Sequence, residues 1–225
     1  MAPTAGLEVL SDEDPVQTVV YEPETLHLNF LLDRSGSMSG QRIIKAREAL
    51  IFFLRSMPAG CLFSIVSFGS GFEYYGGKNA VLECNQENVE GAIKFCQTVT
   101  ANLGGTEILK PMQNIVNERK PNHRTRIFCF TDGCVSNSGQ VIELSADKNI
   151  IVHSVGIGNG CDRNMLESMA KTGRGSCSLI KDDEGQSVLG GKVIQALLKS
   201  LEPALEHCTL KVGHALREMD TIFRG

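Results

Sequence analysis

Nowhere in the chain does an apolar run reach the roughly 18–20 residues that would span a bilayer, so no membrane insertion is expected. There is no basic excess: 22 Lys and Arg stand against 26 Asp and Glu, a formal net charge of −4. Without a basic face the chain has no electrostatic footprint for nucleic acid. The N-terminal stretch MAPTAGLEVLSDEDP lacks both the basic and the apolar region of a secretory signal. Eight cysteines are present, yet none forms a C-x-x-C pair, which argues against a structural zinc site. His207, Cys208 and His214 read as a strand and its flank rather than as ligands. Cys129 sits inside the apolar run Ile127-Phe128-Cys129-Phe130, and Cys96 lies at helical spacing from Val89, Ala92 and Ile93. Both are expected as small core residues with free thiols. Together these features point to a reducing, cytoplasmic setting, with secretion as the alternative.

What is present is an alternation of apolar strands and amphipathic helices in a chain of 225 residues, 42% hydrophobic, enough for one sizeable core. Strands are expected at Leu26–Asp33, Cys61–Phe68, Arg126–Thr131, Asn149–Ile157 and Cys177–Ile180, with a short edge strand ending near Val81-Leu82. Helices are expected at Ser39–Met57, Glu87–Val99, Ile108–Val116, Val141–Asp147, Arg163–Lys171 and Gln186–Leu201. Continuous apolar strands separated by helices imply a doubly wound α/β fold. Its sheet should be six-stranded and mostly parallel, with helices on both faces and one antiparallel edge strand. Residues 1–25 read as a solvated lead-in, 26–202 as the domain, and 203–225 as a tail resembling the start of a following segment.

In such sheets ligands bind beyond the carboxyl ends of the strands. Asp33-Arg34-Ser35-Gly36-Ser37 ends the first strand, Asp132-Gly133 ends the Arg126–Thr131 strand, and Gly104-Gly105-Thr106 precedes a helix. If the two strands are neighbours, the three loops converge. Their donors are then two carboxylates and three hydroxyls, with no imidazole or thiolate, a set suited to a hard cation such as Mg²⁺. The D-x-S-x-S alternation places Asp33, Ser35 and Ser37 on one side of an extended loop, with Gly36 permitting a sharp turn. Asp33 is expected to point out of the strand end, so that its removal costs little packing. Ordinary capping by Ser37, Ser39 or Thr106, with Asp132 in an Asx turn, is the plainer account of single residues but not of the combination.

The set Asp33, Ser35, Ser37, Thr106 and Asp132 resembles the metal-ion-dependent adhesion site of von Willebrand factor A domains, and the resemblance runs from about Leu26 to Leu201. DRSGSMSG, LGGTEIL and FTDG followed by VSN look like the A domains of VIT-domain-associated proteins, among them the inter-alpha-trypsin inhibitor heavy chains, vault poly(ADP-ribose) polymerase and their cytoplasmic relatives. The resemblance implies that Ser35, Ser37 and Thr106 ligate Mg²⁺ (or Mn²⁺ as substitute) directly or, for the threonine, through water. Asp33 and Asp132 would act mostly through water. A protein partner's Asp or Glu would complete the site of a monomeric, non-enzymatic module. Cys134 departs from the acidic or polar residue usual in these relatives, and no VIT domain is expected within the first 25 residues.

Two other readings stand beside this one. A degenerate A domain would serve as a scaffold without metal. A phosphoryl-transfer enzyme would need an acid/base two positions after Asp33, where Ser35 stands. Gly156-Ile-Gly158-Asn-Gly160 lacks the last glycine of a dinucleotide fingerprint and reads as turn glycines. His153 is expected as a satisfied core histidine, Glu107 as favouring the start of the next helix. Gly190-Gly191 is expected to let the closing helix pack closely on the sheet, with easier motion of that helix as the alternative.

Overall fold

The computed structural model describes residues 25–133 and 135–201. The expected lead-in, the tail with His207, Cys208 and His214, and Cys134 lie outside the described residues. Strand β1 (Thr25–Asp33) leads into a 3₁₀ turn at Gly36–Met38 and helix α1 (Gln41–Ser56). Then follow β2 (Leu62–Phe68), β3 (Phe72–Tyr74), β4 (Leu82–Glu83), α2 (Gln86–Thr98), α3 (Leu109–Glu118) and β5 (His123–Thr131). The order closes with α4 (Ser138–Ser145), β6 (Ile150–Ile157), α5 (Arg163–Thr172), β7 (Arg174–Ile180) and α6 (Gln186–Leu201).

The sheet runs β3-β2-β1-β5-β6-β7, with β4 also paired to β2. All pairings are parallel except those of β3 and β4 to β2. The doubly wound architecture is thus as expected, but with seven strands instead of six. One antiparallel edge is split in two by the excursion 75–81, where Gly76, Gly77 and Asn79 take positive φ. Five of the strands were located from their apolar runs.

Period-two alternation sends neighbouring side chains to opposite faces. Leu28, Phe30, Leu32, Phe128 and Phe130 pack under α1, α2 and α6. Leu31, Val66, Ile127 and Cys129 pack under α3, α4 and α5. On the first face Phe53 of α1 meets Phe30, Phe128 and Phe130 at centroid distances of 5.7, 4.6 and 5.6 Å. Pro58 follows α1, and Pro111 sits in the first turn of α3, where no intrahelical N–H bond is lost. Asn85 and Asp162 cap α2 and α5 by accepting from Asn88 N (2.9 Å) and Met165 N (3.0 Å).

Gly190 faces the Phe52 ring of α1, where an added Cβ would make an ordinary 3.4 Å contact, and Gly191 faces open space. Neither glycine is demanded by close packing on the sheet. Cys96 and Cys129 are fully buried, and both are free, as are the other described cysteines. Among the described residues no helix is long and apolar enough to cross a membrane.

Candidate metal centre

Strands β1 and β5 are parallel neighbours with Leu32 opposite Phe130, so their ends bring Asp33 and Asp132 to one point. Both aspartates are fully buried, contrary to the expectation that Asp33 points outward. Each Asp33 oxygen has its own donor: Ser35 N–H donates to Oδ1 at 2.8 Å and the Thr131 hydroxyl to Oδ2 at 2.5 Å. The Thr131 oxygen in turn accepts from Gly133 N at 3.0 Å, binding the end of β5 to the end of β1. Burial pushes the Asp33 carboxyl above its ordinary range and the Asp132 charge adds to the rise, while the Thr131 and Ser35 hydrogen bonds pull against it. Nothing in the sequence marked Thr131 beyond its place in an apolar strand.

The β1–α1 loop is not extended throughout. Ser35 is, but Gly36–Met38 then coils into the 3₁₀ turn, and this brings Ser37 Oγ to 3.0 Å from Ser35 Oγ. Gly36 contributes its N–H to Gly104 O at 2.8 Å, with ordinary room for a side chain, so the turn does not depend on its being glycine. Ser35 is buried and Ser37 exposed, which leaves the site open on the serine side. Arg34, the alternate residue, turns away and binds Thr100 O, Glu73 and Asn102 Oδ1 at 3.0, 2.7 and 2.6 Å.

Thr106 is half-buried on a loop fastened to the same place. Leu103 N donates to Arg34 O (2.9 Å), Gly105 N to Ser70 Oγ (2.8 Å) and Glu107 N to Gly69 O (2.8 Å). Gly69 is obligatory there, because a Cβ would fall 2.4 Å from Leu103 Cβ and O. Helix α1 is preceded by Gly40 and α3 by Ile108, neither start having a side-chain cap, so Ser37, Ser39 and Thr106 do not act as their N-caps. Glu107 pairs with Lys110 at 3.8 Å in the first turn of α3.

The arrangement therefore gathers the β1–α1, pre-α3 and β5–α4 loops, carrying all five expected residues, at one end of the sheet. An octahedral Mg²⁺ with bonds of about 2.1 Å has adjacent ligand oxygens about 3.0 Å apart. Ser35 Oγ and Ser37 Oγ, hydrogen-bonded to each other at 3.0 Å, are spaced by the same distance. Among the described residues no cluster of three or more His, Cys, Asp or Glu side chains could hold a metal. The donor set fits a hard dication.

One residue at this site was not anticipated. Arg42, in the first turn of α1, donates through Nη1 to Asp132 Oδ2 at 2.9 Å and to Ser37 O at 3.0 Å. A cation at a helix N-terminus opposes the helix dipole. That misfit was the only signal the sequence offered. His153 is only partly satisfied: Nδ1 meets Ser176, while Nε2 is buried with no partner among the described residues. Burial lowers its pKa to about 3, so the ring is neutral, stacked 4.6 Å from Phe128.

Residues 26–179 match the model of the von Willebrand factor type A domain. The rat von Willebrand factor A domain-containing protein 5A is 35% identical over 217 residues, which cover 87% of this chain and 26% of the rat protein. Human protein 5B1 of the same series is 32% identical over 187 residues, covering 81% of this chain and 15% of the human protein. The chain thus spans about a quarter or less of the length of these relatives. Among solved structures, a von Willebrand factor type A protein from Catenulispora acidiphila superposes with a TM-score of 0.66 at 20% identity, covering 79% of this chain and 43% of that one. Manganese-loaded TRAP protein of Plasmodium vivax superposes with a TM-score of 0.53 at 16% identity, covering 76% and 74%. By its matched family model and its relatives above 30% identity, the chain belongs to the von Willebrand factor type A domain family.

Proposed function

We propose that the chain is a protein-binding module whose partner completes a Mg²⁺ site at the carboxyl end of the sheet. Ser35 and Ser37 would hold the cation directly, Thr106 directly or through water, and Asp33 and Asp132 mostly through water, with Mn²⁺ able to substitute. The observation that carries this reading is the meeting of two buried carboxylates with the Ser35 and Ser37 hydroxyls, set 3.0 Å apart. When bound, the cation supplies an electrophilic centre for which a partner's Asp or Glu is a favoured ligand.

The chain's own residues do the rest. Asp33 and Asp132 provide the balancing negative charge, Thr131 and Ser35 N–H orient Asp33, and Arg34 fixes the loop that carries the serines. Exposed Ser37 leaves the approach open to a partner. Domains of this family are in general interaction modules. An enzymatic reading lacks its acid/base, since Ser35 occupies the position. The motif wording supports a place beside the VIT-associated A domains, and the buried thiols of Cys96 and Cys129 support a cytoplasmic setting.

The scaffold reading has one observation in its favour, the Arg42–Asp132 ion pair, which balances a buried carboxylate without any metal. Calorimetric titration of MgCl₂ into the full chain, and into a Ser35→Ala/Ser37→Ala variant checked for folding by circular dichroism, separates the two. Saturable binding by the wild type, lost in the double variant, is the expected result. Absence of binding to the wild type would leave the scaffold.

A further inference from the structure

Arg42 is a cation held against the proposed cation site. Its Nη1 reaches Asp132 Oδ2 at 2.9 Å and Ser37 O at 3.0 Å, so it spans two of the loops that would surround the metal. Asp132 is fully buried, whereas the Arg42 side chain keeps 30% of its surface exposed. The arginine therefore reaches in from the rim.

The path it takes is kept clear by the glycines of the β6–α5 loop. A Cβ on Gly158 would fall 2.8 Å from Arg42 Nε and 3.2 Å from its Cγ, and one on Gly160 3.3 Å from Nη2. Gly158 also has a φ of +88°, a backbone state that side chains rarely adopt. The Gly158-Asn-Gly160 segment thus does more than turn the chain. It floors a trough for the arginine stem, and Asp182 secures that floor by accepting from Asn159 N at 3.2 Å. Such a placement, against the dipole of its own helix, indicates a side chain built to meet Asp132.

We propose that Arg42 sets the cation affinity of the site by competing with the metal for Asp132; the proposal rests on the Mg²⁺ reading above. Ionised Asp33 and Asp132 together could neutralise a dication, and Arg42 cancels one of those charges. A metal-bound water must also donate to a carboxylate whose Oδ2 already accepts from the guanidinium. Both effects weaken the hold on Mg²⁺. They leave the loaded site with a net positive charge, which a partner's carboxylate would neutralise. Cation and partner then bind with positive coupling.

The test is calorimetric titration of MgCl₂ into the wild-type chain, Arg42→Gln and Arg42→Lys, with circular dichroism and thermal melting in chelator as folding controls. Removing the charge should tighten Mg²⁺ binding on the order of tenfold. The lysine variant, which keeps the charge and loses the planar fork, should stay close to the wild type. Equal or weaker binding by a folded Arg42→Gln, with the wild type still binding, would overturn this proposal and leave the function standing. No binding by any of the three would overturn the metal reading, and this proposal with it.

Discussion

Replacing Asp33 with alanine separates the cost of the site's internal network from its proposed use. The carboxylate accepts from Ser35 N at 2.8 Å and Thr131 Oγ at 2.5 Å, and is fully buried. Alanine strands both donors, at about 1–3 kcal/mol each for a buried group left unpaired. Against this stands relief of a carboxyl that burial and Asp132 disfavour in ionised form. The net expectation in chelator is a loss of about 1–3 kcal/mol, or a melting point lower by roughly 2–4 °C per kcal/mol for a domain of this size. Asp33→Asn keeps the volume and an acceptor for Ser35 N–H, and should lose less. Both variants should lose Mg²⁺ binding. Urea unfolding in chelator measures the first effect and MgCl₂ calorimetry the second. If Asp33→Ala is as stable as the wild type in chelator, the buried-network argument fails. If folded Asp33→Asn keeps wild-type Mg²⁺ affinity, Asp33 has no part in a metal site.

Three further outcomes follow from the packing and the buried histidines. Phe53→Ala removes the ring that joins Phe30, Phe128 and Phe130 and should cost about 3–5 kcal/mol in urea unfolding; a loss under 1 kcal/mol would contradict the core described. Gly191→Ala, with open space at its Cβ position inside α6, should stabilise by about 0.5–1 kcal/mol, and destabilisation would show a contact that the fold does not contain. His27 and His153 are held neutral, with pKa values lowered by burial to about 4 and about 3 from 6.5. As pH falls below 6.5 the unfolded chain gains protons that the folded histidines refuse, so their contribution, intact above 6.5, declines towards pH 4 by up to about 1.4 kcal/mol per unit for each histidine. A variant with both replaced by glutamine should lose less stability than the wild type between pH 7 and 5.5, and an identical pH profile would refute the assignment.

The legible parts of the chain were those where one pattern served one purpose. Strands β1, β5 and β6 are buried on both faces, so their apolar runs announce them, and the bounds of α6 were those read from its spacing. The edge was less legible, since β3 and β4 contribute three and two residues and their ladder is interrupted by positive-φ positions. Strand β7 begins at Arg174, ahead of its apolar part, because Gly175 lies against the backbone of Val152, a contact no local pattern encodes. The meeting of the loops that carry Asp33, Ser35, Ser37, Thr106 and Asp132 could be read because each follows or precedes a recognisable element. The burial of Asp33 and the reach of Arg42 to Asp132, 90 residues along the chain, depend on tertiary placement and could not.

The central claim is most directly tested by nuclear magnetic resonance of the isotope-labelled full chain titrated with MgCl₂. Saturable, chelator-reversible shifts should appear at the amides of Ser35, Gly36, Ser37, Gly105, Thr106 and Gly133, and the far end of the sheet around Thr25 and His123 should stay still. Spectra unchanged at those amides, or changes only on exposed acidic residues elsewhere, would contradict the account.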